Sequence, residues 1–282
     1  MISSSEVRRI SGANHLNPMI IERDYVLGCY LLYLAEDTMV KESWVFKGGT
    51  CLRKCFFPDY RFSEDLDFTI QKALILSELK ETINHVNHMI QGEHGIRLDE
   101  REPVIELIED EYGKESFEAK IYYRGPLNFR GSLPALRIHL NRNETIVFPI
   151  AILPVSHPYS DQNSLPETKL KTYSMEEMLA EKLRAFSGQR KYAISRDIYD
   201  IYKLADGGLN QQKAMEAFQK KCQVKGILPE KIDINMIERR QKEFEINWQN
   251  NLEYLVPGSQ KVTFEVAWNR AIGLLKRAIQ LI

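Results

Sequence analysis

The sequence predicts an α+β domain over residues 1–160 joined to a helical domain over 161–282. Three observations lead there. Short apolar segments of strand length recur through the first half, set off by Gly, Pro and Asn turns and interleaved with helix-period stretches. The run from His157-Pro158 to Pro166 is loop-like. Beyond it the pattern is almost wholly helical, so the boundary falls near residue 160.

Ile20 to Leu34 repeats apolar residues at helical spacing. Its core, Tyr25 to Ala35, is too short to span a bilayer and reads as a buried helix. Ser43 to Phe46 is a short apolar strand ending at Gly48-Gly49. Thr50 to Phe57 is a short helix with Leu52, Cys55 and Phe56 on one face and Arg53 and Lys54 on the other; Pro58-Asp59 stops it. Asp65 to Ile70 is a strand, and Leu76 to Ile90 a long helix. Strand-like segments follow at Ile96–Leu98, Phe117–Tyr123, Leu136–Leu140 and Ile146–Ile150. Ser174-Met175-Glu176-Glu177 is a capping box that opens a helix, and the next helix begins near Arg196.

At 282 residues the chain has ample length for a core, and its 44% hydrophobic and 27% charged content is ordinary for a globular protein. A formal net charge of −1 provides no global field toward nucleic acid or membrane, so contact with a polyanion needs a local basic patch. The N-terminus lacks the apolar core of a signal peptide. Four irregularly spaced cysteines point to reduced thiols and a cytoplasmic setting. Cys51 and Cys55 share a helix face without further soft ligands, and read as structural thiols. His85, His88 and His94 read as solvated helix residues.

The chemistry concentrates in Phe46-Lys47-Gly48-Gly49-Thr50 and, fourteen residues on, Asp65-Leu66-Asp67-Phe68. Glycines between a strand and a helix allow a sharp turn and close approach of a phosphate, and the helix start offers N–H donors and the Thr50 hydroxyl. A plain turn and helix cap is the alternative for that element alone. On a strand, Asp65 and Asp67 point to one face while Leu66 and Phe68 point to the other. Two close carboxylates repel, a cost that a hard divalent cation such as Mg²⁺ removes. Two such ions would activate an attacking oxygen and neutralise a leaving pyrophosphate. Arg61 and Ser63 complete a polar rim.

A second cluster lies downstream. At 100° per residue, Met175, Met178, Leu179, Leu183 and Phe186 form an apolar arc with Lys182 at its centre, while Glu177, Glu181 and Arg184 lie opposite. Asp197 falls within the arc of Ile198, Ile201, Leu204 and Ala205. A charge on a core-facing arc needs a counter-charge or an exit to water. An Asp197–Lys182 contact would account for both. Arg184, Arg190, Lys191 and Arg196 form either a patch for a polyanionic acceptor or a solvated loop.

These residues resemble a known family. Phe46 to Leu52 with Arg61 to Phe68 is similar to the first motif of the AbiEii/AbiGii-type nucleotidyltransferase toxins, of the DNA polymerase β-like nucleotidyltransferase superfamily. Ile21-Glu22-Arg23-Asp24-Tyr25-Val26 resembles the N-terminal helix motif, with Arg23 where lysine is common. Glu177 to Ala185 resembles the lysine motif, and Arg196 to Tyr202 the aspartate motif. The four occur in the family's order over about residues 20–205. The resemblance implies a nucleotidyltransferase-like domain with a mixed sheet flanked by helices, and a helical domain that contributes Lys182 and Asp197. It implies transfer of a nucleotidyl group from an NTP to an acceptor, the tRNA 3′ end in characterised relatives, with Mg²⁺ bound and a neighbouring antitoxin. By motif position Lys47, Gly48, Gly49, Thr50, Arg61, Ser63 and Lys182 would bind the nucleotide. Asp65 and Asp67 would hold metal, and Asp197 would complete the catalytic set. Thr50 replaces the superfamily's usual serine. The third carboxylate is missing from its strand, where His139 stands, so His139 or Asp197 is the candidate base. A catalytically weak nucleotide-binding protein and a kinase-like phosphate transfer are the competing readings. A glycosyltransferase is disfavoured, because the glycine turn lies too close to the acids.

Overall fold

The computed structural model of the chain describes residues 1–109, 115–142 and 144–280. They divide into two compact units, the first comprising 1–144, 151–172 and 257–260, the second 145–150, 173–256 and 261–282.

The first unit opens with α1 (Ser4–Asn14) and α2 (Pro18–Leu34). Asn17 caps α2 by accepting from the Met19 N–H, and Pro18 fits the first turn, where its missing N–H costs nothing. Nearly the whole of α2 from Tyr25 onward is buried, as its all-round apolar character requires. After α3 (Thr38–Ser43) come β1 (Trp44–Lys47) and α4 (Gly48–Cys51), which continues into a π-helical turn, Leu52–Phe56. Then follow β2 (Asp65–Ile70), α5 (Leu76–His94), β3 (Val104–Glu109), β4 (Glu115–Tyr122), β5 (Ala135–Asn141), β6 (Ala151–Pro154) and β7 (Lys169–Thr172). Among the described residues these seven strands form one mixed sheet, in the order β3-β4-β5-β2-β1-β7-β6. β1 pairs antiparallel with β2 and parallel with β7; β2 pairs parallel with β5. β1 is buried along its whole length, as a central strand should be, whereas β2 alternates from Asp65 to Phe68 and is buried beyond. Trp44 and Phe46 both pack against Phe68 in the core, the first edge-on and the second tilted, each ring contributing about 1.5–3 kcal/mol through burial.

The structure corrects four sequence expectations here. Ile96–Leu98 is not a strand: only Arg97 forms an isolated bridge, to Arg124, because α5 runs on to Gly95 and its left-handed turn leaves too little chain. Ile146–Ile150 is not a strand either, and the pairing segment is the next one, β6. β7 adds a strand where helix was expected. His94 is buried, with its ring edge-on to Tyr33 at 5.4 Å.

The second unit holds α6 (Met175–Arg184), a kinked turn, Ala185–Gln189, in which Ser187 and Gly188 leave helical geometry, and α7 (Ser195–Asp206). α8 (Gln211–Val224), α9 (Ile234–Arg239), α10 (Gln241–Asn251) and α11 (Phe264–Gln280) complete it. Its core is aromatic: Phe186, Phe244, Trp268, Phe264 and Trp248 form a chain of ring contacts with centroids 5.5–5.7 Å apart. Ser174 caps α6, accepting from the Glu177 N–H at 3.1 Å. Glu177, placed by periodicity on the polar side, is fully buried. It pairs with Lys221 of α8 at 2.6 Å and accepts the N–H groups of Val147 and Phe148 at 2.9–3.1 Å. Those bonds help keep 146–150 out of the sheet: the Val147 and Phe148 donors go to a side chain. No described helix is long and apolar enough to cross a membrane.

Candidate active site

The turn between β1 and α4 is built around Asp67. Gly48 has φ +79°, the left-handed region that glycine alone enters without strain, and a Cβ there would run into the Asp67 carboxylate. Lys47 is the β1 register partner of Asp67 and is buried. Gly49 is equally confined, since a Cβ would lie 2.5 Å from Arg61 Nη2 and 3.0 Å from Ser63 Oγ. The first unit therefore gathers Lys47, Gly48, Gly49, Thr50, Arg61, Ser63, Asp65 and Asp67. Arg61 is buried, and its guanidinium donates to the Phe62 carbonyl at 3.1 Å. The buried Thr50 hydroxyl donates to the Asp65 carbonyl at 2.5 Å, so in this conformation it fastens the head of β2 to the turn.

Asp65 and Asp67 are half-buried on one face of β2, as alternation requires. Register extends that face across four strands: Lys47 on β1, Asp67 on β2, His139 on β5 and Glu118 on β4 lie side by side. His139 Nδ1 is 3.4 Å from Glu118 Oε2. In the next row Asp65 stands beside Arg137, which is exposed. Among the described residues no group of three or more His, Cys, Asp or Glu side chains forms a closed metal cage. Two carboxylates on one strand face, with a glycine turn against one of them, are oxygen donors of the type that hard divalent cations take alongside water and phosphate.

The charges flanking this face form a scaffold. Glu22, Arg23 and Asp24 of α2 each hold a different segment. Glu22 is buried and accepts the Leu127 N–H at 2.6 Å, and a Cβ on Gly125 would press against it. Arg23 pairs with Glu64, the residue before Asp65. Asp24 binds Lys54 Nζ at 2.7 Å, Arg53 Nε at 2.9 Å and the Tyr159 hydroxyl at 2.7 Å. Burial alone would raise the Asp24 pKa, but Lys54 and Arg53 outweigh it and hold the carboxyl far below the usual carboxylate range. Arg53 and Lys54, read from sequence as a polar helix face, are thus internal; Lys54 is fully buried. Both residues lie in the π-helical turn, Leu52–Phe56.

In the second unit, Lys182 Nζ contacts Asp197 Oδ1 at 2.7 Å, the pairing that the two misplaced charges called for. It also meets Asp200 Oδ2 at 2.9 Å, and Arg190 reaches Asp197 Oδ2 at 2.6 Å. Asp197 and Asp200 are buried, while Lys182 keeps 18% of its side chain exposed. Burial would raise the Asp197 pKa; Arg190 and Lys182 lower it below the ordinary value. Asp200 was missed by sequence reading, although its spacing of three from Asp197 puts both on one face. The basic-patch reading fails for two of its members: Arg184 is buried, and Arg190 serves Asp197.

Comparison with known proteins identifies the family and the fold. A family model described as "Nucleotidyl transferase AbiEii toxin, Type IV TA system" matches residues 31–270. The crystal structure of JHP933 from Helicobacter pylori is similar with a TM-score of 0.58 at 15% identity, covering 94% of each chain. MenT4, a nucleotidyltransferase toxin from Mycobacterium tuberculosis H37Rv, is similar with a TM-score of 0.56 at 18% identity, covering 100% of this chain and 99% of its own. At those identities the likeness concerns the fold. A search of curated proteins gave no match.

Proposed function

The chain belongs to the AbiEii family of nucleotidyltransferase toxins of type IV toxin–antitoxin systems, and from that premise we propose that it transfers a nucleotidyl group from an NTP to an RNA acceptor, the tRNA 3′ end, with Mg²⁺ at Asp65 and Asp67. The observation that carries the proposal is the polar face of β2, where Asp67 faces the Gly48 turn and Asp65 follows the Arg61–Ser63 rim. The family implies a nucleotide substrate and a cognate antitoxin.

Divalent ions, two with NTP bound, would supply charge neutralisation on the phosphates and acidify the attacking hydroxyl. The chain's own residues do the rest. Gly48 and Gly49 keep side chains out of the space where the triphosphate approaches the backbone. Lys47, Arg61 and Ser63 offer donors to its oxygens; by motif position Lys182, held by two carboxylates of its own unit, would add a cation. The acceptor oxygen attacks the α-phosphorus as the bond to the bridging oxygen breaks. Pyrophosphate leaves with the electron pair, and the hydroxyl proton passes to a base. Between the two candidates His139 is favoured: it lies in register with Asp67, whereas Asp197 is held ionised by Arg190 and Lys182 and is a weak proton acceptor.

The test incubates the purified protein with each NTP labelled at the α-phosphorus, Mg²⁺ and total tRNA, beside Asp67→Ala. Label on tRNA that the variant abolishes is the expected result. Nucleotide binding without label on any RNA would overturn the transferase chemistry for this chain.

A further inference from the structure

Tyr192 is 70% exposed, the largest exposure among the large apolar-bodied side chains of the described residues. It follows the kinked turn of the second unit, Ala185–Gln189, on the connection into α7. That connection is pinned. Arg240 donates from Nη1 to the Arg190 carbonyl and from Nη2 to the Lys191 carbonyl, both at 3.1 Å. Arg240 is itself fixed by Glu243 at 3.0 Å and lies 5.7 Å from the centre of the Phe244 ring. An aromatic ring displayed by an ordered backbone loses little conformational freedom when something binds it.

The chemistry around the ring is cationic. From Gly188 to Arg196 the chain carries Arg190, Lys191 and Arg196 and no carboxylate. Lys191 is exposed, with Nζ 5.3 Å from the Tyr192 ring centre. Arg190 turns inward to Asp197, so the loop is tied to the cluster that orients Lys182. Tyr192, Arg190, Asp197 and Arg240 border one small cavity, which puts the ring next to that cluster. An exposed ring beside a cation, with no acid on the loop, matches a stacked base and its phosphate. An apolar protein partner would need further apolar side chains, and here Ala193 and Ile194 turn half inward.

We infer that the Arg190–Tyr192 loop docks the single-stranded end of the RNA acceptor, Tyr192 stacking on a base and Lys191 meeting a phosphate. The inference rests on the transferase reading above and supplies the acceptor's footprint. It is tested without NTP, by fluorescence anisotropy of a labelled RNA stem-loop bearing a short single-stranded 3′ extension. Tyr192→Ala should weaken binding by about 5- to 100-fold, while Tyr192→Phe, which keeps the ring, should stay close to the parent. Lys191→Ala should lower the salt slope by about one unit. In the transfer assay the Tyr192→Ala defect should fall on the KM for RNA rather than on that for NTP. Parent-like binding by Tyr192→Ala, or equal competition by a blunt duplex, overturns the inference while leaving transfer to RNA standing. Label that goes to a protein, with no RNA binding by the parent, overturns the RNA acceptor itself.

Discussion

Replacing Asp24 by Asn should cost more stability than any other single charge change in the first unit. The carboxylate is buried and serves two cations, Lys54 at 2.7 Å and Arg53 at 2.9 Å. Asn keeps the volume and an acceptor for Tyr159 but strands the Lys54 ammonium, which is itself fully buried. Breaking a buried pair in this way costs about 3–5 kcal/mol. For a domain of this size class that is roughly 6–20 °C in Tm. Differential scanning calorimetry of the parent, Asp24→Asn, and Asp24→Asn combined with Lys54→Met would measure it. The double variant removes the stranded charge and should recover part of the loss. The pH dependence has a definite sign. The folded pKa of Asp24 lies below its unfolded value of about 3.9, so its contribution is complete above about pH 4 and is lost as pH falls further. The gap between parent and variant should therefore narrow below pH 4. A Tm within about 2 °C of the parent, or a gap unchanged into acid, would refute the reasoning.

Gly48→Ala should lose about 100-fold in transfer rate, since it adds about 1–2 kcal/mol of left-handed strain and pushes the Asp67 carboxylate by on the order of 1 Å; parent-like turnover would show that Asp67 has room. Lys182→Ala leaves two buried carboxylates short of a cation and should destabilise between the ~1 kcal/mol of an exposed pair and the ~3–5 kcal/mol of a buried one, with transfer lost, as read by denaturant titration and labelled-NTP assay. Burial pushes the thiols of Cys29 and Cys222 up to about 12, and Cys51 is also buried, so mass-resolved alkylation of the native protein at pH 8 should find Cys55 modified first. Equal labelling of Cys29 would contradict that burial.

What could be read from the chain, and what could not, follows from the range of each interaction. The β1–turn–β2 element was legible because glycine conformation and strand alternation are local properties. The Lys182–Asp197 contact was legible for another reason: two charges on apolar arcs each demand a partner, and the shortest answer is each other. Glu177 shows the limit. Helical arithmetic puts it opposite Lys182, and nothing near it in sequence reveals that Lys221 covers it. Val147 and Phe148 look like strand residues because they are apolar, yet strand identity depends on where the N–H groups go, and those two go to Glu177. β7 is four residues of alternating charge, too short to carry a period, and exists through its pairing with β1 and β6.

The N-terminal helix motif carries a different message from the strand acids, and Arg23 is the residue that tests it. Glu22 and Asp24 hold neighbouring segments of the unit, whereas Arg23, which also bonds Tyr123, reaches Glu64, one residue ahead of Asp65. Both side chains of that pair are about one-quarter exposed, 27% and 24%, so its worth to stability is about 1 kcal/mol at most. On the transferase proposal its worth to catalysis is larger in proportion, because the rate would depend steeply on where the Asp65 carboxylate stands. Arg23→Met should therefore move Tm by no more than about 4 °C while lowering kcat roughly 10-fold, with little change in the KM for NTP. Arg23→Lys, which keeps a positive charge beside Glu64, should recover most of the rate. If Arg23→Met instead loses stability on the Asp24 scale and Lys fails to rescue, Arg23 is a packing residue like its neighbour. A kcat defect with Tm intact separates the two roles: Asp24 holds the unit together, and Arg23 aims one of its acids.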